Sequence, residues 1–402
     1  MVKKLERQQV LKDPIYGYIH IDYEVIKKLI DSNLFQRLRR IRQLSGVQMV
    51  FHGAEHSRFS HSLGVYELAY RFLSVKELEN ELTEREQLLF LVSALLHDIG
   101  HGAYSHAFED VFGVNHEHIG ARMIINRHEI RDVLSTVDDT FSNDVASIIL
   151  KNGKFSLIEQ LISSQLDIDR LDYLERDAYF TGTAYGHIDL DRIMRVLHVK
   201  DKQIVYSVSG IHAIENYLIS RYHMYWQVYY HPVSRAYETI LEKIYLRVKD
   251  LCEENFEFKA DLEAFKNIIK NPNDLDSYIQ IDDFYMNGLI SSFTRSKDET
   301  LKTLSDDFLN RHIWKYIDDT KENNQLIEDI KKKYHPNELK YFTAHHTVSN
   351  SAYQDDRIYF GEEIKILLKD GSISTLKEQS NIIKGLILTG VKEDPKFFYR
   401  KK

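Results

Sequence analysis

The chain has 402 residues, 28% of them charged, with a net charge of −8 at pH 7. This acidic balance argues against sequence-independent binding to long nucleic acid. The single cysteine, Cys252, excludes an intramolecular disulfide and a thiolate zinc cluster, and it fits a reducing compartment. No segment approaches the ~20 apolar residues that span a bilayer, and the first ten residues lack the apolar segment of a secretory signal. We therefore expect a cytoplasmic protein with no membrane partner and no nucleic-acid partner.

Helices dominate the first two thirds of the chain. Apolar residues recur at helical spacing over long segments, and only five prolines interrupt the whole sequence. The first helices are predicted near 23–31, 33–44 and 61–80. Further helices are predicted at 117–130, 142–150, 156–163, 167–178, 211–230 and 233–250.

One helix start and end are marked by local chemistry. Thr83 and Glu86 have the capping-box spacing and precede the apolar run LLFLVSALL. The glycines at positions 100 and 102 end the pattern, which places His97 and Asp98 at the C-terminal end of that helix. Side chains in such a place are held firmly yet stay reachable.

Two segments depart from the helical rhythm. RVLHV and QIVYSV flank residues 200–202, and IKILL and SISTL flank Asp370 and Gly371, so two β-hairpins are predicted. The polar stretch 271–276 is the best candidate for a linker or exposed loop. The predicted fold class is mainly α, with small β-hairpins and a mixed α/β C-terminal region.

Histidine is concentrated in one part of the chain. Of 19 histidines, eight lie between positions 52 and 118: His52, His56, His61, His97, His101, His106, His116 and His118. Any one of them alone is more simply a hydrogen-bonded structural imidazole. Together with Asp98 and the distant Asp169, however, they supply imidazole and carboxylate donors in the mixture typical of a hydrolytic metal centre. The pattern therefore favours hydrolysis by a metal-activated water.

Cationic residues lie near these donors. The run RLRRIR at 37–42 carries four arginines, and Arg58, Arg170 and Arg176 stand beside the metal motifs. An anionic small ligand is one interpretation. A solvated helix face is the other for RLRRIR, and spacing does not separate the two.

Four longer phrases carry a resemblance to a known family. AEHSRFSHSLGV (54–65), LLHDIGHGAYSH (95–106), NHEH (115–118) and DIDRLDYLERD (167–177) resemble the HD-domain phosphohydrolases, and within them the deoxynucleoside triphosphate triphosphohydrolases. The similarity runs from DPIYG (13–17) to RYHMYWQVYYHPVSRAYE (221–238). It implies an all-helical HD core over 1–250, with the motif region at about 50–180. Residues 251–402 are expected to form a mixed region that contacts neighbouring subunits.

The resemblance implies a metal site and a proton donor. His61, His97, Asp98 and Asp169 would ligate a divalent metal, with Asp167 as the nearest rival of Asp169. The donors suit magnesium, manganese, iron, zinc, cobalt or nickel without choosing among them. His116 matches the family's general acid, Glu109 stands where the animal enzyme carries the orienting aspartate, and His101 joins them in the catalytic set.

The resemblance also implies positions that bind substrate. They are expected to hold the phosphates, the sugar or the base, and they are Gln43, Arg58, His106, Arg170, Tyr173, Asp177, Arg221 and Tyr229. Asp177 would accept a hydrogen bond from the 3′-hydroxyl, while Tyr229 would leave little room for a 2′-hydroxyl. Deoxyribose selectivity would then be steric.

Relatives assemble as tetramers that a nucleotide switches on. The positions that match a guanine-nucleotide activator site are Val10, Asp31, Gln36 and Arg39. A lysine expected before Val10 is Gln9 here, so phosphate recognition differs at that point. The resemblance therefore implies a homotetramer with a guanine-nucleotide activator.

Three functions compete at this stage. The favoured one is hydrolysis of a deoxynucleoside triphosphate to deoxynucleoside and inorganic triphosphate under nucleotide regulation. The second is an HD phosphohydrolase acting on a monophosphate, an alarmone or a cyclic nucleotide. The third is a nucleotide-sensing module without turnover.

Overall fold

The N-terminus forms a hairpin that the sequence patterns did not indicate. The computed structural model describes residues 3–350 and 363–402, and its first elements are the antiparallel strands β1 (Lys4–Asp13) and β2 (Gly17–Tyr23). The Asp13 side chain accepts the backbone N–H groups of Ile15 and Tyr16, and Gly17 takes a φ of +78°. These features are what a tight turn requires.

The helices of the first two thirds confirm the predicted fold class. They are α1 (Glu24–Asp31), α2 (Asn33–Arg37), α3 (Arg58–Phe72), α4 (Lys76–Glu81), α5 (Glu84–Leu96), α6 (His106–Phe112), α7 (His116–Asn126), α8 (His128–Ser135), α9 (Phe141–Ile149), α10 (Ser156–Ile162), α11 (Ile168–Thr181), α12 (Leu190–Val196), α13 (Ile211–Met224) and α14 (Pro232–Glu253). Helices α3 and α5 are buried on nearly every side. A helix that is buried all round lies at the centre of a fold, and α3 and α5 position three of the four predicted metal donors.

Three predicted helices are shorter than expected. The helix predicted at 33–44 ends at Arg37, because a 3₁₀ turn follows and Ile41 is extended. The helix predicted at 61–80 divides near Ser74, whose hydroxyl donates to the Arg71 carbonyl and competes with the helical bond. The helix predicted at 117–130 divides at Arg127, whose backbone is extended.

Both predicted hairpins are confirmed, and one sheet contains them. The strands β3 (Leu197–Lys200) and β4 (Gln203–Ser207) form the first, and β7 (Lys365–Leu367) and β8 (Ile373–Thr375) form the second. Strands β4 and β7 pair in parallel and give the order β3-β4-β7-β8. A second sheet has the order β5-β9-β6, from β5 (Lys315–Asp318), β6 (Thr343–Asn350) and β9 (Lys392–Tyr399).

The remaining helices pack around these sheets. They are α15 (Glu263–Lys270), α16 (Leu275–Gln280), α17 (Asp283–Phe293), α18 (Glu299–Leu309), α19 (Asn324–Lys331), α20 (Pro336–Phe342), α21 (Leu376–Gln379) and α22 (Asn381–Leu388). The predicted loop at 271–276 is partly correct, because α16 already begins at Leu275. Among the helices in the described ranges, none has both the length and the apolar character that crossing a bilayer needs.

Candidate active site

Three helices deliver the predicted metal donors to one place. His61 lies one turn into α3, His97 and Asp98 follow the last residue of α5, and Asp169 lies in the first turn of α11. The capping box of Thr83 and Glu86 is present and fixes where α5 begins.

The capping of α11 separates Asp169 from its rival. The Asp167 carboxylate accepts the N–H groups of Arg170 at 2.7 Å and Ser164 at 2.8 Å, so it is the N-cap of the helix. Asp169, two residues later, faces the histidines instead. The resemblance favoured Asp169 and named Asp167 as its rival, and the capping geometry gives a physical reason for that preference.

The donor atoms converge. His61 Nε2 lies 3.1 Å from Asp169 Oδ1, 3.3 Å from His97 Nε2 and 3.6 Å from Asp98 Oδ2. His97 Nε2 lies 3.4 Å from Asp98 Oδ1 and 3.7 Å from Asp169 Oδ1. Ligands bonded at about 2.0–2.2 Å to one cation are separated by such distances. His61, His97 and Asp169 therefore fit a single divalent metal, and Asp98 lies beside both histidines while also forming a second possible ligand group with His101 and His116.

The tautomers of both histidines also fit a metal. His61 Nδ1–H donates to Asp172 at 2.8 Å, and His97 Nδ1–H donates to the Ala94 carbonyl at 2.9 Å. Each Nε2 faces the cluster and would offer its lone pair to a bound metal, which would replace any proton held there. A ligating histidine is commonly fixed by such a bond from its other nitrogen.

Electrostatics show that the cluster attracts positive charge. Burial opposes protonation of His61, but hydrogen bonds to Asp169 and Asp172 overcome it and raise the pKa of His61 to about 10. Despite burial, the adjacent histidines lower the pKa of Asp169. His101 behaves differently, since burial and the nearby Arg58 and His116 lower its pKa to about 3.

The predicted catalytic trio is also assembled. The rings of His101 and His116 are stacked, with centroids 3.8 Å apart and planes at 16°. Glu109 Oε1 lies 2.9 Å from His116 Nδ1 and 3.2 Å from His101 Nδ1, while His101 Nε2 lies 3.3 Å from Asp98 Oδ1. The trio thus touches the metal donors through Asp98.

An extended segment places Gln43 beside these groups. Gln43 N–H donates to the His56 carbonyl at 3.0 Å, and Arg58 N–H donates to the Ile41 carbonyl at 2.9 Å. Because α2 ends at Arg37, residues 41–43 are free to adopt the extended backbone that pairs with residues 56–58. The Arg58 guanidinium pairs with Asp98, and its Nε donates to Ser105 Oγ at 2.8 Å.

A cavity of about 520 Å³ opens over the cluster. That size is typical of small-molecule sites. The residues lining it that the sequence predicted are Gln43, Arg58, Asp98, His101, His116, Asp169, Arg170, Tyr173, Asp177 and Tyr229. Leu44, Ser45, Val47, Tyr225, Tyr230, Glu238 and Glu242 also line it and were not predicted.

Comparison with known proteins identifies the family. The chain matches the family described as HD domain over residues 58–177 and the HD associated region over residues 188–340. It is 39% identical to the uncharacterized protein YwfO of Bacillus subtilis, over 99% of this chain and 93% of that protein. The chain belongs to the HD-domain family.

Two further relatives bear on the activity. The deoxynucleoside triphosphate triphosphohydrolase SAMHD1 homolog of Dictyostelium discoideum is 30% identical over 68% of this chain and 60% of its own length. A crystal structure of the phosphohydrolase BT4208 from Bacteroides thetaiotaomicron has 30% identity and a TM-score of 0.85, covering 98% of this chain and 100% of that one. This HD-domain protein is accordingly a hydrolase with a divalent metal cofactor, and its donor set leaves the metal's identity open.

The carboxylate of Asp177 is held from two sides in the HD-domain cavity. His56 Nε2 lies 2.8 Å from Asp177 Oδ1, and the Tyr229 hydroxyl donates to Oδ2 at 2.7 Å. The rings of Tyr173 and Tyr229 meet edge to face at 6.1 Å. The sequence marks His56 only as one of the clustered histidines, because nothing local signals its contact with a residue more than 100 positions away.

Of the other predicted substrate positions, Gln43 and Arg170 line the cavity and Arg221 does not. Gln43 Oε1 is buried without a hydrogen-bond partner among the described residues, while Arg170 is paired with Asp167. Arg221 is buried behind the lining, with its guanidinium 3.4 Å from Gln165 Oε1 and over the Tyr225 ring. The side chain of His106 lies outside the described part of the structure. These roles stay predictions.

The predicted activator positions lie on the surface. Gln36 donates to the Ile30 carbonyl at 2.8 Å and accepts from Arg39 Nε at 2.8 Å, and Asp31 pairs with Lys27. Val10 lies in another element, β1, and is exposed. Their role is likewise a prediction.

A buried charge network behind His61 was missed by sequence reasoning. Asp172 accepts from His61 and from Arg176, and Arg176 Nη1 lies 3.0 Å from Asp13 at the end of β1. Asp172 and Arg176 are both fully buried. Their spacing in DIDRLDYLERD is the only available signal, and it equally fits a salt-bridged helix surface.

Proposed function

We propose that this protein hydrolyses deoxynucleoside triphosphates to deoxynucleoside and inorganic triphosphate. The observation that carries the proposal is one cavity in which metal donors, a histidine–carboxylate trio and the Asp177–Tyr229 pair are adjacent. The SAMHD1-type relatives, named for this reaction, support it. When bound, a divalent cation lowers the pKa of a water and polarises a phosphoryl oxygen.

The charges that line the cavity support an anionic substrate whose binding depends on a cation. The cavity is lined by the carboxylates of Asp98, Asp169, Asp177, Glu238 and Glu242 and by the guanidinium groups of Arg58 and Arg170. A polyphosphate would be repelled by this excess of carboxylates unless a cation offset them. Arg58, which already contacts Asp98, is placed to bind a phosphate beside the metal donors.

His116 is suited to protonate the leaving oxygen. Its Nδ1–H donates to Glu109, so the Glu109 carboxylate orients the ring. The stacked His101, whose pKa is lowered by burial, stays neutral and can donate a hydrogen bond without competing for that proton.

The sugar end of the cavity supports a preference for deoxyribose. Asp177 is held by His56 and Tyr229, so its position is fixed before a ligand arrives. A fixed carboxylate could accept from a 3′-hydroxyl, and the adjacent Tyr229 ring would then leave little room for a 2′-hydroxyl.

We infer in addition that a guanine nucleotide activates a tetramer through Asp31, Gln36, Arg39 and Val10. The support is the resemblance of these positions to the activator site of relatives and the surface location of the Gln36–Arg39 pair. If preincubation with guanine nucleotides changes neither the activity nor the particle mass, this part of the proposal is wrong.

The deciding experiment is a screen of divalent metals against paired deoxy- and ribonucleoside triphosphates, with chromatography of the products. Release of deoxynucleoside and intact triphosphate is expected. Pyrophosphate with a monophosphate, or stepwise single phosphates, would contradict the reaction. Turnover only of a monophosphate, alarmone or cyclic nucleotide would favour another HD phosphohydrolase, and binding without turnover would favour a sensing module.

A further inference from the structure

We propose that Asp283, at the start of α17, is a positioning residue that holds the loop from Asp98 to Ser105 against the segment that carries Gln43. The proposal rests on the hydrolytic role proposed for that loop. It gives a role to the part of the HD associated region beyond residue 238, where the sequence resemblance ends.

The geometry of Asp283 carries the proposal. One carboxylate oxygen accepts the Tyr104 N–H at 2.8 Å, and the other accepts the Arg42 N–H at 2.9 Å. Asp283 is 2% exposed, so water does not substitute for it. One side chain therefore joins two segments that are far apart in sequence and that meet at the cavity.

The loop from Asp98 to Ser105 has a strained backbone that contacts from outside the loop must stabilise. Tyr104 and Ser105 have φ values of +56° and +53°, a region that side chains other than glycine rarely adopt. Such a conformation persists only when surrounding contacts impose it. Because Ser105 Oγ accepts from Arg58 at 2.8 Å, a loop that relaxes also releases Arg58.

Neighbouring contacts from the same region act on the same loop. The Tyr278 hydroxyl donates to the Gly100 carbonyl at 2.9 Å, and the Tyr104 hydroxyl donates to Asn287 at 2.6 Å. The buried Arg37 donates to the His101 carbonyl at 2.8 Å and to the carbonyls of residues 279 and 281. Residues 278–287 therefore contact the loop at both Gly100 and Tyr104.

A carboxylate is specifically suited to this place. Burial raises the pKa of Asp283 to about 6, against the effect of the two amide donors and Arg42. Burying an ionised carboxylate in this way lowers the stability of the folded state. Two acceptor oxygens, one for each amide, account for its presence, since a neutral amide side chain has only one.

The test compares Asp283→Asn with Asp282→Asn in the full-length protein. Asp282 caps α17 through the Tyr285 N–H and pairs with Arg40, so its variant perturbs the same helix without touching the loop from Asp98 to Ser105. Hydrogen–deuterium exchange is followed in peptides covering 99–106 and 41–44, together with turnover, bound metal and the unfolding temperature. Because Arg40 adjoins residues 41–44, the comparison of the two variants rests on the 99–106 peptide.

We expect Asp283→Asn to speed exchange in these peptides by about tenfold. Turnover should fall by between about tenfold and about 100-fold while bound metal stays unchanged. Equal exchange in both variants, or a change spread over the whole chain, would overturn the proposal. If exchange changes as expected but the wild type hydrolyses no nucleotide, the positioning role stands and the proposed function fails.

Discussion

The orientation of His61 depends on a carboxylate that does not line the cavity. Asp172 accepts the His61 Nδ1–H at 2.8 Å and is itself held by Arg176. We expect Asp172→Asn to weaken metal binding by about 10- to 100-fold, the usual effect of losing such a partner. Titration with manganese, followed by calorimetry, measures it.

The matched control is Asp13→Asn. It removes the other carboxylate partner of Arg176 but leaves the bond to His61 intact. Its unfolding temperature should fall while its affinity for manganese stays at the wild-type value. Equal affinities in the two variants would mean that Asp172 does not orient His61.

Glu109 is expected to act through His116. Glu109→Gln replaces the carboxylate that accepts the His116 Nδ1–H with an amide that holds the ring less firmly, so turnover should fall by about 100-fold or more with bound metal unchanged. Glu117→Gln is the control. Glu117 follows His116 in α7, and its carboxylate pairs at the surface with Lys151 rather than with the His116 ring. A loss of turnover in both variants, or in neither, would contradict the role of Glu109.

Single residues show where sequence reasoning stops. The donors His61, His97 and Asp98 were predictable because they lie in the sequence phrases 54–65 and 95–106 that resemble the family motif. Asp169 was favoured over Asp167 by the resemblance alone, and the physical reason, that Asp167 caps α11, is not visible in the sequence. Asp283 was not predictable either, because its partners lie about 180 and 240 residues away.

At the scale of elements, Arg85 ties α5 to the start of α9. Its guanidinium donates to Asp138 at 2.7 Å and to Asp144 at 2.7 Å. The hydrogen bond from Arg85 is the main cause that lowers the pKa of Asp138 to about 2. Since α5 carries His97 and Asp98 at its far end, this anchor fixes the element beneath the site.

The pH dependence of this anchor follows from the sign of the shift. A lowered pKa means that the folded state prefers the ionised Asp138, so its stabilisation is complete above the unfolded pKa of about 3.9. It is lost as the pH falls towards 2. We expect Asp138→Asn to lower the free energy of unfolding by about 0.5–1 kcal/mol at pH 7, the range for partly exposed pairs.

Urea unfolding at several pH values measures that difference. It should be constant from about pH 7 to pH 5 and shrink below about pH 4. Asp139→Asn, at the exposed neighbouring position, is the control and should show no such trend. A difference that grows on acidification would contradict the assignment.

Elements with local signals were predictable, and those with distant partners were not. The capping box of α5 and both hairpins follow from residues close in sequence. The end of α2 at Arg37 does not follow from local residues, because the buried Arg37 guanidinium donates to the distant carbonyls of residues 101, 279 and 281. The solvated-face interpretation of RLRRIR is therefore wrong for Arg37. The parallel pairing of β4 with β7 joins residues about 160 positions apart, which periodicity does not reveal.

At the scale of the molecule, the late residues are part of the core. Ile366, Leu376, Phe397 and Phe398 are buried in the same apolar cluster as α3 and α5. Arg235 of α14 donates to Asp394 at 2.7 Å and so joins the helical part to β9. The predicted contact of this region with other subunits stays a prediction, and so does the boundary near residue 250.

This packing predicts that removing residues 321–402 prevents folding. The deletion takes β9 and β6 from their sheet, leaves β5 unpaired and uncovers the apolar cluster. Truncating a single buried phenylalanine costs about 3–5 kcal/mol, and a whole domain is stable by about 5–15 kcal/mol. Loss of Phe397, Phe398 and their neighbours therefore exceeds the available stability.

Circular dichroism during heating, with light scattering, tests this expectation. The shortened chain should aggregate or melt without a cooperative transition. Deleting only Lys401 and Lys402, both exposed, is the control and should leave the transition intact; the surface pair between Lys402 and Glu338 contributes little. A soluble, cooperatively melting fragment would instead mean that residues 321–402 form a separate unit, because only a part outside the shared core can be removed without exposing it.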